Sequence, residues 1–191
     1  MRALALSALL VALPVTAQDI RPADMERLSY LTEHFGAAMR QAMEGGAPAD
    51  VEALREALAG APDGQVDPSG DWDCRTIKIG GVSPLVVYQP FRCRLSPDGP
   101  GVWTIEKLTG SQRLSGRIEA TQGGTVYTGV GFVGDAPATD YAGLPADRTV
   151  VEPGQTHGQV GLLEMAAPDR GRLLLPAPVL ESRFDILVLT R

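Results

Sequence analysis

Between residues 75 and 117 the chain carries Arg75, Lys78, Arg92, Arg94, Lys107, Arg113 and Arg117 against only Asp98 and Glu106. The whole 191-residue chain has a formal net charge of −6, so this segment is a basic island in an acidic protein. Guanidinium forks match carboxylate and phosphate oxygens in pairs of hydrogen bonds. The island is therefore an anion site, or else a solvated face whose arginines pair with Asp71, Asp73, Glu106 or Glu119. Within it, Lys107-Leu-Thr-Gly-Ser-Gln-Arg113 reads as a tight turn flanked by two cations. Such a turn can present backbone donors to an anion. It can equally be an ordinary hairpin turn in which Gly and Ser serve conformation alone. The candidate ligand-binding residues are Arg75, Arg92, Arg94, Lys107, Ser111, Gln112 and Arg113.

Other chemistries find less to work with. His34, on a predicted helix, and His157, at a predicted strand start, have no Cys or acidic partner at metal-ligand spacing. His34 lies off the apolar stripe of its helix and reads as a surface residue. The sequence has no Gly-x-Ser-x-Gly, no phosphate-binding loop and no dinucleotide fingerprint. A serine triad drawn from distant positions stays open, because such residues need not be neighbours in sequence. No catalytic residue, metal or cofactor is assigned, and net acidity argues against nucleic acid as a partner.

The two cysteines, Cys74 and Cys93, lie in the runs 71–79 and 86–95. Gly80-Gly81 and Ser83-Pro84 separate those runs, which predicts a β-hairpin. With Cys74 opposite Cys93 the turn centres between Ser83 and Pro84. Trp72 then faces Leu95, Thr76 faces Phe91, and Arg75 faces Arg92. Side chains alternate across a strand. Trp72, Cys74, Phe91, Cys93 and Leu95 therefore share one face. Asp73, Arg75, Arg92 and Arg94 take the other, joined further along by Ile77, Ile79 and Tyr88. Pro90 lacks a ladder donor and marks a bulge or an edge. A disulfide closing so short a loop contributes about 3 kcal/mol in the chain-entropy model.

Residues 1–17 read as a secretory signal peptide: Arg2, an apolar run from Ala3 to Leu13, then Val15-Thr16-Ala17. No cysteine follows the cleavage point, so a lipoprotein is not expected. No other segment is long and apolar enough for a membrane helix. A cysteine pair in an exported chain is read as a disulfide in an oxidising compartment, here a bacterial periplasm.

Residues 18–62 predict a helical hairpin, with helices over 22–44 and from Pro48 to Ala59. The first carries a stripe of Met25, Leu28, Leu31, Phe35, Met39, Ala42 and Met43, with Asp24 and Glu26 placed for its N-terminus. From Gly70 to the end the period is two, and eight strand-like runs suggest a sandwich or closed barrel over 70–191. In the last run Phe184, Ile186 and Val188 alternate with Asp185 and Leu187. The aperiodic stretch 135–156 reads as a long loop, with Asp140-Tyr141 placed to cap a barrel mouth.

Gly70-x-Trp72 at the first of eight strands resembles the opening of lipocalin-like (calycin) barrels. The resemblance implies a Trp packed under the barrel against an Arg near the last strand, for which Arg183 and Arg191 are available. Small bacterial metalloprotease-inhibitor barrels open similarly and carry a disulfide in the first hairpin. Cys74-Arg-Thr-Ile-Lys, Phe91-Arg-Cys93-Arg and Lys107–Arg113, with the Pro-Ala-Asp helix start, resemble a bacterial exported family, domain of unknown function 4893. That likeness implies a location and a fold but no activity. The expected architecture is mainly β with N-terminal α: a helical hairpin packed on an antiparallel, lipocalin-like eight-stranded β-barrel. The expected function is a non-enzymatic periplasmic binding module for a small or anionic ligand. The alternative is a protein-interaction module, protease-inhibitor-like or an envelope-assembly factor.

Overall fold

The change from helical to alternating period at Gly70 divides the folded chain into an α part and a β part. The structure, a computed structural model, describes residues 20–191. The predicted signal segment 1–17 lies outside the described residues. Three helices come first: α1 (Pro22–Ser29), α2 (Leu31–Gly45) and α3 (Pro48–Ala57). Nine strands follow: β1 (Gly70–Ile79), β2 (Leu85–Val87), β3 (Phe91–Gly99), β4 (Val102–Lys107), β5 (Gln112–Thr121), β6 (Gly124–Val133), β7 (His157–Ala167), β8 (Arg170–Pro176) and β9 (Phe184–Thr190). β1 pairs antiparallel with β2, β3 and β9, and from β3 to β9 each strand pairs antiparallel with the next. The sheet thus closes as an eight-stranded barrel, in which β2 and β3 are two pieces of one wall strand.

The break between those pieces sits at Pro90, as its missing donor predicts. β2 pairs Ile77 with Val87, whereas β3 pairs Cys74 with Phe91, so the register slips by one residue across the break. Gly80 and Gly81 make the reversal with φ of 68° and 93°, a region closed to most L-residues. The slip corrects the expected register. Trp72 faces Cys93 and Cys74 faces Phe91, so the disulfide runs diagonally, with a Cα–Cα distance of 5.8 Å. Strand twist brings diagonal neighbours within disulfide reach. Arg92 faces Asp73 rather than Arg75, which removes the expected like-charge pair.

Pairing places one side-chain set inside the barrel all the way round. Trp72, Leu95, Ile105, Ile118, Tyr127, Leu173 and Leu187 fill one end of the interior, each at most 1 % exposed. That end is packed with side chains and leaves no lipocalin-scale cavity.

The outer face is covered in part. Ile77, Ile79, Leu174, Phe184 and Ile186 lie under Ala38 and Ala42 of α2 and Leu54 and Ala57 of α3. On β9, therefore, the Phe184–Ile186 face points outward to the helices, and Asp185 and Leu187 point inward. The expected long first helix divides at Tyr30, whose ψ of 25° turns the chain. The two halves bury different faces: α1 buries Asp24 and Arg27, and α2 buries two alanines. Met25 and Met43 of the expected stripe are about half exposed as a result.

Candidate functional site

The seven predicted ligand residues fall into three places. Arg92 and Arg94 lie on the uncovered outer face of β3 and pair with Asp73 at 3.4 Å and Asp71 at 2.7 Å. All four side chains are at least half exposed. Solvent screens such exposed pairs, and they leave little for a ligand. This part of the basic island is a solvated, self-paired ladder.

Arg75 is different. Residues 75 and 76 lie between the stretch of β1 paired with β3 and the stretch paired with β2. On its other side Arg75 faces Val188. The Pro90 break opens the wall there, and a groove of about 460 Å³ runs between α3 and the outer faces of β1, β9 and β8. Its floor is Ile77, Val188, Ala53 and Ala57, and its rim carries Arg55, Arg75, Arg170, Glu56 and Asp73. Arg55 is held by Glu52 at 2.6 Å. Arg75 and Arg170 make no side-chain hydrogen bond or ion pair among the described residues. The α3 side of the groove is fixed by Arg172, which bonds Glu164 at 2.6 Å and the carbonyls of Ala57, Ala59 and Gly60 at the helix C-terminus.

Lys107, Ser111 and Gln112 lie at the second end of the barrel interior, away from the packed apolar end. There the inward positions turn polar: Lys78, Lys107, Gln112, His157, Gln159 and Asp185. Lys107 and Lys78 are each 6 % exposed. Lys78 donates to Glu181 at 2.6 Å. Lys107 donates to the Gln112 carbonyl at 2.6 Å and lies 3.9 Å over the Phe91 ring, with no carboxylate on it. Burial, with Arg113 and Lys78 nearby, pushes the Lys107 ammonium down to about 8. These groups border a hollow of about 110 Å³ that also touches Thr76, Tyr88 and Ser111.

A second small hollow adjoins it, lined by Lys78, Gln112, Arg113, His157, Gln159 and Asp185. Arg113 itself bonds the Gly110 carbonyl and pairs with the exposed Asp135. His157 Nδ1 lies 2.7 Å from the Gln155 carbonyl, which fixes the proton there and turns Nε2 inward. Burial holds its pKa below the usual value. A side chain at Gly131 would meet His157 Nε2 at 2.6 Å, so only glycine leaves room for the ring. Burial pushes the Asp185 carboxyl up to about 6, against the Ser182 hydroxyl at 2.5 Å and the charge of Lys78.

Sequence reasoning missed one further polar cluster. Asp24, fully buried, accepts from Arg27 at 2.8 Å, from Arg21 Nε at 2.8 Å and from the Tyr141 hydroxyl at 2.8 Å. Arg27 also donates to the carbonyls of Gly158 and Pro176. This clasp joins α1, the barrel wall and the 135–156 loop. Tyr141 therefore does not cap the barrel mouth. It packs on the outer wall with Val130, Phe132 and Val160. A Pro-Ala-Asp start looks like a simple helix N-terminus, and nothing in the spacing distinguishes a buried Asp from a solvated one.

Among the described residues no group of three or more His, Cys, Asp or Glu could hold a metal, and no helix is long and apolar enough to cross a membrane. A family model described as a domain of unknown function (DUF4893) matches residues 17–189. No curated protein and no solved structure gives a match.

Proposed function

We propose a function on the premise that the chain belongs to the DUF4893 family: an exported, non-enzymatic binding module of the bacterial periplasm. Its ligand is anionic with an apolar portion, and it is held in the groove between α3 and the barrel wall. One observation carries this reading. Arg75 and Arg170, from the first and the next-to-last barrel strands, border one groove of about 460 Å³ and form no ion pair among the described residues. The volume lies within the range of small-molecule sites, roughly 300–1,000 Å³. The apolar floor takes a hydrocarbon part, and the two guanidinium groups take a carboxylate or phosphate.

The Cys74–Cys93 bond supports an oxidising compartment. The non-enzymatic part rests on His157, whose ring bonds only a backbone carbonyl among the described residues. No nucleophile, base and orienting group are chained there.

The filled interior favours a second reading, in which the same groove takes an acidic segment of an envelope protein. Native and then denaturing mass spectrometry on gently purified periplasmic protein separates the two. A small mass excess that is lost on denaturation, and absent from Arg75→Ala/Arg170→Ala, supports the ligand. A protein partner lost in the same variant supports the second reading. An unchanged bound species in the double variant removes the groove from the function.

A further inference from the structure

The barrel end around Lys107 holds a buried ammonium that no carboxylate contacts. Two ammonium groups, Lys78 and Lys107, lie inside the wall, each 6 % exposed. Glu181 balances the first at 2.6 Å. Glu181 is the turn residue that reaches in over the barrel end with φ of 67°, a conformation unfavourable for a non-glycine residue. Lys107 has a carbonyl and an aromatic face as neighbours and no anion. An unpaired buried ammonium is costly, and an ion of opposite charge at contact is the direct remedy.

We infer that the hollow beside Lys107 is a second binding site, which takes a small monocarboxylate. Its size, about 110 Å³, suits a few heavy atoms and excludes a nucleotide or a fatty acid. Lys107 itself lacks a carboxylate contact, which calls for a monoanion. The Thr76 and Ser111 hydroxyls at the border can donate to carboxylate oxygens, and Phe91 and Tyr88 offer an apolar wall to a short alkyl group. The depressed ammonium of Lys107 agrees with this, because a bound carboxylate would restore its charged form.

Acetate is the probe. Thermal unfolding is followed at fixed ionic strength and pH as acetate replaces chloride. The wild type is expected to gain stability progressively with acetate concentration. Lys107→Met is expected to lose that response, and Lys107→Arg to keep part of it. Arg75→Ala/Arg170→Ala is expected to respond like the wild type, so failure here and failure of the groove are read separately. No response in the wild type, or an undiminished one in Lys107→Met, overturns the site. A larger response to inorganic phosphate than to acetate overturns the ligand class. Should Lys107→Met not fold, lysine-labelled wild type is titrated by NMR. The Lys107 side-chain resonance must then move with acetate, and a stationary resonance overturns the proposal.

Discussion

The Arg191 guanidinium lies 4.0 Å over the ring of Trp72, joining the end of the chain to the first barrel strand. It also donates to the carbonyls of Ser69 at 2.7 Å and Pro168 at 2.9 Å. The Trp72 indole donates to the Pro68 carbonyl at 2.8 Å. A buried Trp is thereby sealed at the packed end of the barrel by the last residue of the chain, as the lipocalin-like resemblance implied.

Removing that seal should cost stability without touching either candidate site. Arg191→Ala loses the cation–π contact, about 0.5–1 kcal/mol, and two charged hydrogen bonds to exposed carbonyls. The expected total is about 1–2 kcal/mol, a fall in Tm of roughly 2–8 °C for a chain of this size. Calorimetry of wild type and variant checks it. An unchanged Tm would mean that the stacking is incidental.

The clasp at Asp24 should be far less tolerant. Asp24→Ala strands Arg27, 3 % exposed, without its counter-ion. Breaking a buried pair on one side costs about 3–5 kcal/mol. The double variant Asp24→Ala/Arg27→Met, which removes both charges, should recover much of the loss. Urea unfolding of the two variants gives the comparison, and equal losses in both would contradict the argument. Burial alone would raise the Asp24 carboxyl, but the bonds from Tyr141 and Arg21 and the charge of Arg27 outweigh it and hold it below the usual range. A depressed folded pKa contributes stability above the unfolded pKa. That contribution disappears as pH falls through the folded value, so the clasp weakens only in acid below about pH 4.

Asp185 works in the opposite sense. Its folded pKa is raised to about 6 by burial, above the unfolded value near 4. Its contribution is fully present below about pH 4 and is lost as pH rises through 6. Two units correspond to about 3 kcal/mol as an upper bound. Asp185→Asn cannot ionise, so it should lack this loss and gain on the wild type between pH 4.5 and 7.5. Urea midpoints at the two pH values test this. A wild type equally stable at both, relative to the variant, would show that Asp185 is not desolvated.

Much of the fold is legible in the sequence because period carries it. Alternation from Gly70 onward specifies the strands, and Pro90 marks where the second one breaks. The cysteine pair is legible as a bond, but its register is not. Direct and diagonal partners differ by two residues and leave every side chain on the same face. Alternation also fails to say which face is inside. On β9 both faces are buried, one under helices and one in the barrel, so the apolar set of Phe184 and Ile186 gives no sign that Asp185 points inward. The site shows the same limit. Composition finds the basic island, but only pairing separates the spent arginines, 92 and 94, from Arg75 and Lys107. Asp185 and His157 reach the adjoining hollow through strands far from the island.

Closure of the barrel by β1 and β9 has a consequence for the order in which the chain can be completed. The partner of the first barrel strand is the last to be synthesised, with residues 73–79 pairing with 184–190. Until it arrives, β1 and β8 both present unpaired edges, the surfaces most prone to join another chain. Contacts between such distant segments also form slowly. A chain cut short before Phe184 would therefore not be a smaller version of this protein. It would be an open sheet with two adhesive margins, and aggregation rather than partial function is its natural fate.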